Sequence, residues 1–146
     1  MPLQPRSERT PDPRPALPTK FEGREDGSRY VVTGKGGLIR EVQLPSHLAA
    51  RLEAQRLATP RPVTDRHVYY QQHYAIGGGQ PWSMAVSRAA KAALGWSTGA
   101  HGLRHAYAQE RVTELQTLEH SQKVANETVS QELGHFRPEI TTTYLR

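Results

Sequence analysis

The sequence predicts a mainly α domain with one small antiparallel β-hairpin, an α+β class. Two short β-branched runs flank a glycine-rich turn at Gly34-Lys35-Gly36-Gly37. From Ser46 onward, apolar residues recur at helical spacing between Pro, Gly and Ser/Thr breaks. The length of 146 residues with 36% hydrophobic and 7% aromatic content allows one modest core.

Residues 1–20 hold six of the eleven prolines. Proline fixes φ and removes a donor, so this segment is expected to be an extended, largely disordered tail. Its cations Arg6, Arg9, Arg14 and Lys20 could brush a phosphate backbone, although a solvated tail is the plainer reading. The folded part is expected over 21–146. Arg29-Tyr-Val-Val-Thr33 and Leu38-Ile-Arg-Glu-Val-Gln-Leu44 form the hairpin, with Leu38, Val42 and Leu44 on one face and Lys35 at the tip. The glycine cluster is too short for a nucleotide-phosphate loop and leads into a strand rather than a helix. No cofactor and no small-molecule substrate are expected.

Ser46 starts the first helix, whose apolar stripe of Leu48, Ala49 and Leu52 continues to about Leu57 before Thr59-Pro60-Arg61-Pro62 stops it. Residues 60–81 read as a long connection carrying Tyr69, Tyr70, His73 and Tyr74. These aromatics, interleaved with Arg66 and His67, suit either DNA contact or local packing. Pro81-Trp82 opens a second helix ending at Gly95, with Met84, Ala85, Val86, Ala89, Ala92, Ala93 and Leu94 expected mostly buried. Ser97-Thr98-Gly99 turns the chain into a third helix over about His101–Leu118. A fourth runs from about Ser121 to Leu133, with Val124, Ala125, Val129 and Leu133 inward and Gly134 as its cap. Pro138 permits one more short helix with Ile140, Tyr144 and Leu145.

The formal charge of +5 favours an anionic partner, nucleic acid being the commonest. With no cysteine there is no disulfide, thiolate metal site or cysteine nucleophile. No apolar run approaches membrane-spanning length, and no signal-peptide core stands at the N-terminus. A soluble, cytoplasmic protein without a membrane partner is expected.

The chemistry gathers between His101 and Arg146. His101, Arg104 and His105 are spaced i, i+3 and i+4 and share one helix face. Such a trio reads as an exposed basic face, a core histidine or half a metal site that His135 could complete. The metal reading lacks a carboxylate at the usual catalytic position inside the pair. A phosphate site accounts for more of the pattern: arginine offers a planar fork for two phosphate oxygens, and histidine can donate to a third. A tyrosine hydroxyl, with a pKa near 10, becomes a useful nucleophile only where cations stabilise its phenolate. Tyr144, in a threonine-rich context after Leu133-Gly134-His135, is the candidate.

These residues carry a resemblance. His101-Gly-Leu-Arg104-His105-Ala-Tyr-Ala resembles the second motif box of the tyrosine recombinases, the phage-integrase family. Leu133-Gly134-His135, followed after eight residues by Tyr144, is similar to that family's final box. The hairpin from Thr33 to Pro45 resembles the family's lysine-bearing hairpin. The resemblance covers about 29–146, with the motifs in the family's order. It implies a tyrosine recombinase catalytic-domain-like fold and metal-free chemistry on double-stranded DNA, with assembly into a homo-oligomer there. Tyr144 would attack a phosphate to give a 3′-phosphotyrosyl link and a 5′-hydroxyl. Arg104 and His101 would bind the non-bridging oxygens, His135 would assist the transition state, and Lys35 would protonate the leaving oxygen. His105 would be structural.

The family's first arginine, in a helical box upstream of the hairpin, has no counterpart here. Arg24 and Arg29 stand in the wrong context, and the family's N-terminal core-binding domain is lacking. The expectation is an incomplete catalytic domain, truncated on its N-terminal side, with recombination weakened or lost. A non-catalytic DNA-binding remnant of an integrase and a metal-binding helical protein are the alternatives.

Overall fold

The computed structural model describes residues 2–14, 16–34, 37–65, 67–77, 79–97 and 99–134. The chain folds as an α+β structure in two compact units. Residues 1–14 with 24–79 form the first, and 15–23 with the chain from Gln80 onward form the second.

In the first unit, β1 (Leu3–Pro5), β2 (Gly27–Thr33) and β3 (Ile39–Pro45) form an antiparallel sheet in that order. The β2–β3 hairpin matches the expectation. The register pairs Tyr30 with Val42 and Thr33 with Ile39, which places the turn at the glycine cluster. Gly34 N–H donates to Leu38 O at 2.8 Å and Gly37 takes φ +81°, a conformation open to glycine without strain. At the other end, Gly27 admits no side chain. A Cβ there would stand 1.9 Å from Leu44 O, inside the ladder.

Residues 1–20 depart from the expected tail. Leu3–Pro5 pairs with β2, Leu3 opposite Val32, and Leu3 is buried. Proline is admissible at this edge because its missing N–H faces away from the ladder. The helix α1 (Ser46–Glu53) begins where expected but ends one turn early, because Leu57 belongs to β4 (Arg56–Asp65). The expected connection over 60–81 is largely a second hairpin, β4 with β5 (Val68–Tyr74). A register shift between Arg56 and Arg61 takes up Pro60 and its neighbours, and proline is tolerated in such an irregular edge.

Leu3, Tyr30, Ala49, Leu52 and Tyr74 form the core of this unit. The Tyr30 and Tyr74 rings meet edge to face with centroids 6.2 Å apart, a favoured aromatic geometry. Both hydroxyls donate to Glu53 Oε1, at 2.7 and 2.8 Å. Arg56 pairs with Glu53 and Glu8 and lies over the Tyr74 ring. One carboxylate at the end of α1 thereby ties the helix to both hairpins. Burial, reinforced by the Glu53 hydrogen bond, pushes the Tyr30 hydroxyl up to about 12 and raises Tyr74 as well. The Tyr30 hydrogen bond, ahead of the others, holds Glu53 below the usual carboxylate range.

In the second unit, α2 (Gly79–Leu94), α3 (His101–Thr117) and α4 (Gln122–Glu132) lie close to their expected bounds. Ser121 caps α4, its hydroxyl accepting from Val124 N–H. Residues 118–121 reverse the chain, with Glu119 at φ +71°. Ala108, Val112 and Leu115 of α3 then meet Ala125, Val129 and Leu133 in the core.

The expectation that α2 is mostly buried is corrected. Met84 is 50% exposed and Leu94 63%, and Ala85, Ala89, Ala92 and Ala93 are exposed. An apolar stripe is buried only where another element offers a matching surface, and α3 and α4 use theirs on each other. Among the described residues no helix is long and apolar enough to cross a membrane.

Candidate nucleic-acid site

The first turns of α3 present His101, Arg104 and His105. Ala100 provides no side-chain cap and no acidic residue stands in the first turn. The partial positive charge of the helix N-terminus therefore adds to the charge of Arg104. His101 is exposed, while Arg104 and His105 are half-buried.

Arg104 does not simply point to solvent. Its Nη2 donates to Leu133 O at 2.7 Å, across 29 residues of sequence. This bond joins the start of α3 to the end of α4, the two places where the sequence carries its motifs. Gly134 follows at φ +81°, the left-handed conformation in which glycine commonly ends a helix. Of the five residues singled out for catalysis, His101 and Arg104 are described. Lys35, His135 and Tyr144 lie outside the described residues, as does the short helix expected after Pro138. Among the described residues no cluster of three or more histidines and carboxylates is placed to hold a metal ion.

Beside Arg104 stands a set of residues that the motifs did not include. Arg111 of α3 and Glu132 of α4 are completely buried side chains paired with each other. Arg111 Nε meets Glu132 Oε1 at 2.9 Å and Oε2 at 3.3 Å, and Nη2 meets Oε2 at 3.3 Å. Arg111 Nη1 donates to Glu114 at 2.7 Å. Tyr107 hydroxyl donates to Glu132 Oε1 at 2.7 Å, and Phe21 N–H donates to Oε2 at 2.9 Å. Burial opposes the charge of Arg111, but the hydrogen bonds and charges of Glu132 and Glu114 outweigh it, so its pKa is raised. A buried ion pair of this kind is tolerable only because its remaining donors and acceptors are also satisfied.

Phe21 belongs to a segment that straps the helix pair. Leu17 N–H donates to Gln131 Oε1 at 2.8 Å, and the Thr19 and Thr128 hydroxyls lie 2.6 Å apart. His120 meets Glu22 at 2.8 Å. Thr128, Gln131 and Glu132 lie on one face of α4, so a single polar face of that helix receives the strap. Phe21 itself is buried at φ +62°, a costly conformation for an aromatic residue that these contacts impose.

One signal for this set was present in the sequence. Ala108, Arg111, Val112 and Leu115 fall on one helical stripe, and a charge within a core stripe requires a buried partner. The partner's identity, 21 residues away, was not readable from spacing.

A second basic surface, in the first unit, is less suited to anions. Its groove includes Arg6, Arg29, Ser28 and Ser46. Both arginines are paired with Glu41, and the Ser46 hydroxyl donates to Asp26.

Comparison of the chain with protein-family models, curated proteins and solved structures gave no match.

Proposed function

We propose that this chain cleaves and rejoins DNA strands through Tyr144. The observation that carries this reading is the Arg104–Leu133 bond. It holds the His-x-x-Arg-His helix against the end of the helix that runs into Gly134 and His135. Leu133, 29 residues away in sequence, is thereby bonded to Arg104, in the first turns of a helix whose N-terminus suits a phosphate.

In this reading Arg104 and His101 hold the non-bridging oxygens of a DNA phosphodiester. The Tyr144 hydroxyl oxygen attacks phosphorus as its proton passes to water, forming a 3′-phosphotyrosyl bond while the bond to the 5′-oxygen breaks. Lys35 delivers a proton to that oxygen, and His135 donates a hydrogen bond to the charge built up at phosphorus. Attack by a 5′-hydroxyl reverses the step, so the phosphodiester energy is conserved.

A second reading, DNA binding without catalysis, is favoured by the lack of a second arginine box. Arg111 cannot serve in that role, because it is fully buried and held by Glu132 and Glu114. Losing one donor to the transition state costs on the order of 2–4 kcal/mol, so covalent joining by this chain alone is expected to be slow. The test uses a pool of nicked duplexes of randomised sequence that traps covalent adducts. Peptide mapping should place the DNA on Tyr144, and Tyr144→Phe should abolish the adduct. Salt-dependent duplex binding with no adduct would decide for the second reading. Neither adduct nor duplex binding would refute both.

A further inference from the structure

We propose that Glu132 is a positioning residue for Arg104, and that the strap 17–22 is part of the device. The inference rests on the reading that Arg104 holds a DNA phosphate. Glu132 and Leu133 are adjacent, so whatever fixes the Glu132 carboxylate also fixes the carbonyl that receives Arg104.

The carboxylate is gripped from three directions. Arg111 holds it from the middle of α3, with Nε 2.9 Å from Oε1. Tyr107 holds it from one helical turn nearer the N-terminus of α3, its hydroxyl 2.7 Å from the same oxygen. Phe21 N–H, at 2.9 Å from Oε2, holds it from the strap. All these groups are donors, and together they occupy both oxygens in different directions. The last turn of α4 cannot rotate or slide without breaking several charge-assisted bonds at once. The Leu133 carbonyl is thus a fixed acceptor for Arg104 Nη2, which is bound to it at 2.7 Å.

A fixed guanidinium matters because bidentate phosphate recognition depends on the orientation of the fork as well as on its charge. Arg104 and Tyr107 are separated by three residues and Tyr107 and Arg111 by four, so one α3 face serves both the anion and the clamp. The strap adds a connection that the motifs alone do not contain. Residues 17–22, far from Arg104 in sequence, bear on its geometry through one backbone N–H.

The experiment uses the full chain with arginine side chains labelled with ¹⁵N, and the Arg104 resonance identified by its loss in Arg104→Lys. Tyr107→Phe removes one donor from Glu132 and keeps the ion pair. Glu132→Gln removes the charge and keeps the shape. In the unaltered chain the Arg104 Nη protons should exchange slowly. Both variants should speed that exchange, Glu132→Gln more than Tyr107→Phe, while the methyl resonances of Leu115 and Val129 stay in place in Tyr107→Phe. Joining to nicked duplex should slow roughly tenfold to a hundredfold at saturating DNA in Tyr107→Phe, since small misplacement of a binding group has costs of that order. The half-saturating DNA concentration should stay nearly unchanged. Unaltered Arg104 exchange in a folded Tyr107→Phe chain would overturn the proposal. So would a lower melting temperature with an unchanged joining rate per folded molecule. If the unaltered chain joins no DNA, the reading of Arg104 as a phosphate ligand loses its support, and the exchange measurement alone still decides whether Glu132 positions Arg104.

Discussion

Replacing Arg111 by methionine tests the energetics of the helix pair most directly. Methionine fills much of the same volume, so the main change is the loss of a charge and of its donors. Glu132 would retain Tyr107 and Phe21 N–H but would have no counter-ion, at a site where both side chains of the pair are fully buried. Removing one partner of a buried pair costs about 3–5 kcal/mol. That is a large share of the roughly 5–15 kcal/mol that stabilises a typical domain. Urea unfolding followed by far-ultraviolet circular dichroism should show the midpoint falling steeply. A companion chain carrying Arg111→Met with Glu132→Leu removes the orphaned charge and should recover part of the loss. Recovery is incomplete because Tyr107 hydroxyl and Phe21 N–H then lack their acceptor, each costing about 1–3 kcal/mol if left buried and unsatisfied. A single variant that loses less than about 1 kcal/mol would refute the reasoning.

The two raised tyrosines predict alkaline instability. Their neutral forms belong to the fold, so the stability they contribute is complete below the ordinary phenol pKa near 10 and is lost as pH rises through the folded value, about 12 for Tyr30. Unfolding monitored against pH should therefore begin in that interval, and Tyr30→Phe should remove part of the slope; an unchanged slope would count against the Glu53 cluster. The N-terminal strand predicts that Leu3→Ala destabilises the first unit by about 2–5 kcal/mol, as for a buried leucine in a packed core. A loss within about 0.5 kcal/mol in a denaturant melt would return residues 1–5 to an unpacked tail.

Local elements were legible where local physics chooses them. The start of α3 at His101 follows from a glycine-containing turn and then a helical stripe. Ser121 announces α4 because a hydroxyl ahead of a helix satisfies an orphaned N–H. The Gly34–Gly37 turn reads directly as a hairpin, because two β-branched runs flank residues that can reverse the chain. Errors arose where burial depends on distant partners. The prolines of 1–20 suggested a tail, yet β2 offers an edge to which Leu3–Pro5 can bond. The apolar stripe of α2 suggested a core helix, yet its face is exposed.

For the candidate site, the sequence alone determined the chemistry on offer: a basic helix face at His101, Arg104 and His105, and a helix ending in Leu133-Gly134. Residue type and 3.6-residue periodicity suffice for that. Only the tertiary structure decided that Arg104 is bound to Leu133, that Arg111 is held by Glu132 rather than left for an anion, and that residues 17–22 strap the pair. The physical reason is that a charged side chain has no preference for a partner until folding removes water. Which carboxylate or carbonyl then stands within 3 Å is set by how two helices pack, and no spacing along the chain encodes that.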